Sequence, residues 1–93
     1  MIERRPGGWR VTVPMVIDNA AALRAAGAAL IDGGVAVVDL AAVGGADSSA
    51  LAVLLDWVRQ AEKQGGSLAF RGAPSGVRAL AGLYDLDGIL PLV

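Results

Sequence analysis

An α/β fold, with about four strands in one sheet and helices packed on it, is the architecture that this chain of 93 residues predicts. Three observations carry the prediction. Short apolar runs rich in β-branched residues alternate with longer stretches whose apolar residues recur every three or four positions. Gly or Pro punctuates most of the boundaries between them. The length suits one domain with a modest core and is too short for two.

Taken in order, Met1 to Gly8 carries charge but leads into no apolar h-region, so it reads as a flexible N-terminal leader and not a signal peptide. The domain is expected over residues 9–93. Trp9-Arg10-Val11-Thr12-Val13 alternates apolar and polar residues, which predicts a strand with one wet face. Pro14 ends that strand or puts it at a sheet edge. Asp18 is a natural N-cap for a helix over about Asn19–Ile31, in which Leu23, Ala26, Gly27 and Leu30 make one buried stripe. Gly27 costs helix stability but permits close approach to a sheet.

Asp32-Gly33-Gly34 stops this helix. Val35 to Leu40 is nearly continuous apolar sequence, as expected of a central strand covered on both faces. The Gly44-Gly45-Ala46 loop leads to a second helix, from Leu51 to about Gln64, ended by Gly65-Gly66. Ser67 to Arg71 is a third strand. Pro74 suits the first turn of a third helix, whose Val77, Leu80, Ala81 and Tyr84 form its stripe. Ile89-Leu90 with Leu92-Val93 predicts a last short strand, limited to an edge by Pro91.

Composition removes several classes of function. The hydrophobic share is 55%, yet 18 Ala and 13 Gly make up a third of the chain, so much of it is small side chains suited to close packing. No apolar stretch approaches the roughly 18 residues that span a bilayer. With no cysteine there is no disulfide framework or thiolate chemistry. With no histidine there is no Ser-His-Asp triad and no His-ligated metal, and no metal or cofactor is expected. The 8 basic and 9 acidic residues are scattered, which disfavours nucleic-acid binding. Lys-assisted serine catalysis would need Lys63, the sole lysine, which one helix length places roughly 20 Å from Ser48. The chain is therefore not expected to be an enzyme.

The most informative segment is Asp47-Ser48-Ser49-Ala50-Leu51, between the central strand and the second helix. Each of Asp47, Ser48 and Ser49 is suited to capping the free N–H groups of the first turn. The same hydroxyls beside a carboxylate also suit a docking or switch point, since a helix N-terminus tolerates phosphate. At 100° per residue, Leu51, Leu54, Leu55, Val58 and Ala61 predict the core face of this helix. Ser49, Val53 and Trp57 then form a ridge directed away from the sheet, the kind of apolar anchor that interfaces favour. The alternative is that Trp57 leans over a sheet edge or onto the third helix.

Val38-Asp39-Leu40 with Asp47-Ser48-Ser49-Ala50-Leu51, supported by Ala73-Pro74 and Leu83-Tyr84-Asp85-Leu86, resembles the STAS domain family over nearly the whole chain. Pro14-Met15-Val16-Ile17-Asp18-Asn19-Ala20, leading into an Ala-rich helix, looks most like the MlaB type within it. That resemblance implies a single STAS-like domain with a mixed sheet. It also implies a non-catalytic binding module for an MlaF-like cytoplasmic ABC ATPase, in a complex whose permease and partners transport phospholipid and maintain outer-membrane lipid asymmetry. The chain would then lie in the cytoplasm, peripheral to the inner membrane through its partner and without inserting into it. The partner-binding or regulatory residues would be Asp47, Ser48, Ser49, Ala50, Leu51, Val53 and Trp57.

The resemblance puts the important hydroxyl of the lipid-transport type at Ser48. It puts the phosphoacceptor of the alternative, an anti-sigma-factor antagonist switched by phosphorylation, at Ser49. Ala50 stands where such antagonists usually carry Gly, which weakens the switch reading. A homodimer through an exposed ridge or an open strand edge also stays open.

Overall fold

The computed structural model describes all residues from Met1 to Val93. Four strands form one sheet in the order β1 (Ile2–Arg5), β2 (Gly8–Val11), β3 (Val35–Asp39) and β4 (Ser67–Arg71). β1 pairs antiparallel with β2, whereas β2, β3 and β4 are parallel, so the sheet is mixed. Helix α1 (Ala20–Ala28) connects β2 to β3, α2 (Ser49–Lys63) connects β3 to β4, and α3 (Ser75–Leu83) follows.

The supposed leader is part of the sheet. Ile2 to Arg5 runs back along Gly8 to Val11 through a two-residue turn at Pro6-Gly7, where Gly7 takes a φ of +77°. Glu3, Arg4 and Arg5 hide this strand, because a charged edge strand carries little hydrophobic signal. Those charges also blunt the edge against pairing with other chains.

Parallel strands added in one direction across a sheet, through right-handed crossovers, place both connecting helices on the same face. The expectation that β3 is covered on both faces therefore fails. Val38 is fully buried under the helices, while Val35 on the opposite face is 80% exposed and Val37 is exposed as well. That outer face holds a cross-strand rung of Arg10, Asp39 and Arg71. Both guanidinium groups pair with the Asp39 carboxylate, at 3.2 and 3.3 Å. The C-terminal segment forms only a parallel bridge from Leu92 to Phe70, at the free side of β4.

Trp57 is completely buried, and Val53 nearly so, which overturns the predicted exposed ridge. The buried arc of α2 contains Ala50, Leu54, Trp57 and Ala61, flanked by Leu51 and Val53, whereas Leu55 and Val58 are only half-buried. The arc is rotated by roughly 60° from the predicted stripe, because α2 packs on α1 as well as on the sheet. The Trp57 indole meets Trp9 edge-to-face, with centroids 5.6 Å apart, and its Nε1 donates to the Arg24 carbonyl of α1 at 3.0 Å. Gly27 makes this possible. A Cβ there would lie 2.2 Å from the Trp57 ring, so the glycine admits the neighbouring helix's indole and not the sheet.

Asp18 is exposed and is not the cap of α1, which starts one residue after Asn19. Asn19 instead secures the preceding loop. Its Oδ1 accepts from the Val16 N–H and its Nδ2 donates to the Pro14 carbonyl, at 3.2 and 2.7 Å. Tyr84 lies just past the end of α3 and is exposed, so it is not part of that helix's buried stripe.

The Gly27–Trp57 contact generates a prediction against helix propensity. Gly27→Ala should lower stability by about 1–3 kcal/mol through overpacking, although alanine is the better helix former. Urea unfolding midpoints measure this, and a stabilised variant would contradict the packing.

Candidate functional site

Two loops meet at the C-terminal end of the parallel strands, where open α/β sheets present their sites. The β2–α1 loop and the β3–α2 loop pair through a parallel bridge between Met15 and Ala46. The Met15 N–H donates to the Gly45 carbonyl at 2.9 Å, and the Asp47 N–H donates to the Met15 carbonyl at 3.1 Å.

Asp47 is the hub of the junction. One carboxylate oxygen accepts from the Ile17 N–H at 3.0 Å, tying the first loop to the second. The other accepts from the Ser49 N–H at 2.9 Å and from the Ser49 hydroxyl. Asp47 therefore satisfies a free N–H of the first turn of α2, and Ser48, although it occupies the N-cap position, makes no capping bond. Of the three residues suited to capping, the aspartate does it. The Ser49 hydroxyl is held by the carboxylate, while Ser48 is exposed.

The Asp47 pKa is lowered, chiefly by the Ser49 hydroxyl and then by the Ile17 and Ser49 backbone N–H groups, with partial desolvation opposing them. Asp39, on the other side of the sheet, is lowered as well. Its first cause is the Ala41 N–H, which donates to it at 2.9 Å; burial opposes this, and Arg10 and Arg71 reinforce it.

Around Ser48 and Ser49 the surface is largely apolar. A cleft of about 250 Å³ between α1 and α2 is lined by Ile17, Ala20, Ala21, Arg24, Ser49 and Ala52, with Val53 at its floor. On the other side of α2 a shallower cleft of about 300 Å³ is lined by Ser48, Leu51, Ala52, Leu55, Tyr84 and Leu86. Ile17 is 72% exposed and Tyr84 is 54% exposed.

Of the residues predicted for the site, Asp47, Ser48 and Ser49 come together at the surface. Ala50, Leu51, Val53 and Trp57 are buried, and Trp57 and Ala50 reach neither cleft. Sequence reasoning missed Ile17, Arg24, Ala52, Leu55 and Tyr84. Ile17 was readable in part, as a large apolar residue just outside the predicted helix, whereas Ala52 gains meaning only from its neighbours.

The family profile described as "Mlab, STAS domain" matches residues 10–93. The chain belongs to the MlaB-type STAS family. Among solved structures, the STAS fold is seen again in a candidate anti-sigma-factor antagonist from Thermotoga maritima. That crystal structure superposes with a TM-score of 0.75 over 99% of this chain and 83% of the other, at 17% identity. Identity this low shows a shared fold. No curated protein matches the chain. No helix of this STAS domain is long and apolar enough to cross a membrane.

The site predicts a pH dependence. Both lowered aspartates favour the ionised form in the folded state, so their contributions are present above the ordinary aspartate pKa of about 4 and complete by about pH 5, where an unfolded aspartate is almost wholly ionised. They are lost as pH falls through the lowered folded-state values. Stability should therefore decline below about pH 5, and Asp47→Asn should flatten that decline. Urea midpoints taken across this range check it; a variant profile parallel to wild type would show that Asp47 does not contribute.

Proposed function

We propose that this chain is a non-catalytic STAS subunit that docks on the cytoplasmic ATPase of an Mla-type phospholipid-transport ABC complex and stabilises or regulates it. ATP turnover and lipid handling then belong to the partner subunits. Membership of the MlaB-type family supports the reading. The observation that carries it is the exposed Ser48, whose hydroxyl is not used in capping and lies in an apolar surface formed by Ala52, Leu55 and Tyr84. Such a surface, with a polar group at its centre, has the composition of a docking patch.

Ser49 is less suited to the phosphoswitch of the anti-sigma alternative. Its hydroxyl is bonded to Asp47, and a phosphate there would set about −1.5 to −2 charges beside that carboxylate. The docking surface is built from Ser48, Ala52, Leu55 and Ile17, and Val53 and Trp57 support it from beneath.

Affinity capture from the native membrane fraction tests this reading, using tagged wild type and Ala52→Glu. Ala52 is exposed on α2, so the substitution leaves the core untouched. Wild type should capture an ABC ATPase with its permease, and the variant should lose at least about tenfold of that binding while melting like wild type. Capture of a sigma-regulatory kinase instead, or undiminished binding by the variant, would contradict the proposal.

A further inference from the structure

Two clefts flank the N-terminal half of α2, and Ala52 is the low wall between them. From this geometry we infer that the partner's recognition element is one amphipathic helix, which seats two large apolar side chains either side of Ala52 and brings a carboxylate to Arg24. The inference rests on the docking surface proposed above and specifies what fits it.

The occupant follows from shape and charge. The clefts are the grooves between α1 and α2 and between α2 and the segment after α3, where Tyr84 and Leu86 form the far wall. Grooves between packed helices accept the side-chain ridge of another helix. A strand would need a free sheet edge, and neither cleft is lined by a strand residue. An alanine ridge is low enough for one helix to straddle, so the two apolar residues would stand about four to seven positions apart, roughly 6–10 Å along its axis.

Arg24 sets the polar requirement. Arg24 lines the α1-side cleft and forms no ion pair within the chain, unlike Arg5, Arg10 and Arg71. An otherwise apolar cleft with one free cation at its side matches an apolar helix face flanked by Asp or Glu. Ile17 completes the cleft because the Asp47 carboxylate holds its backbone, so the wall is preformed.

A photo-crosslinking experiment tests this. Tagged full-length chain carrying a photoactivatable phenylalanine at position 21 (exposed in the α1-side cleft) or at position 84 is irradiated with the native membrane fraction, and the adducts are mapped by mass spectrometry. The two positions should mark sites within about seven residues of each other on one helix of the same partner. Arg24→Glu should weaken that partner's binding about tenfold, with reversal of an adjacent partner acid restoring it.

Adducts on separate segments, no adduct at either position, or an Arg24→Glu variant that binds like wild type would overturn the inference. Adducts of the expected spacing on a protein other than an ABC ATPase would leave this recognition geometry standing and overturn the proposed function instead.

Discussion

Trp57, one of two tryptophans in the chain, lies against a residue with no side chain, Gly27, and the arrangement of the helices depends on that contact. The indole fills the space between α1, α2 and the sheet, stacks its edge on Trp9, and satisfies its own N–H on an α1 carbonyl. Close approach of α1 to α2 sets the width of the cleft between them. It also places Ile17, just ahead of α1, within reach of Asp47, just ahead of α2. The surface at the α2 N-terminus is thus a consequence of core packing two turns further along the α1-facing side of the same helix.

Asp47 transmits that arrangement to the surface. A single carboxylate joins two loops and caps a helix, which leaves Ser48 exposed and Ser49 engaged. Two adjacent serines consequently differ in what they can do, a difference arising from the geometry of three hydrogen bonds and not from residue type. The second carboxylate with a lowered pKa, Asp39, does comparable work on the uncovered sheet face, where two arginines and a backbone N–H keep it ionised while nearly buried.

Much of the fold was legible in the sequence. The three parallel strands, all three helices and the mixed sheet follow from periodicity and from the STAS-like motifs, and the family match over residues 10–93 agrees. Three features were not legible, for separate physical reasons. Ile2–Arg5 has almost no apolar signal because it is a charged edge strand. Val35 and Val37 look like a strand buried on both sides, but crossover handedness leaves one face bare. Trp57 falls off the stripe expected for a helix with one neighbour, whereas α2 packs on α1 and α3 as well as on the sheet. Within the site, the Asp-Ser-Ser motif is plain in the sequence, while Ile17, Ala52 and Tyr84, distant in sequence, become a surface only in the folded chain.

The central claim is that this surface at the start of α2 is the docking face. Amide hydrogen exchange of the chain, free and saturated with the ATPase subunit from the same cell, tests it most directly. Slowing confined to the loop before α1, the first turns of α1 and α2, and the segment around Tyr84 is the predicted result. Slowing on β3 and β4, with those segments unchanged, would place the partner on the uncovered sheet face and contradict the account.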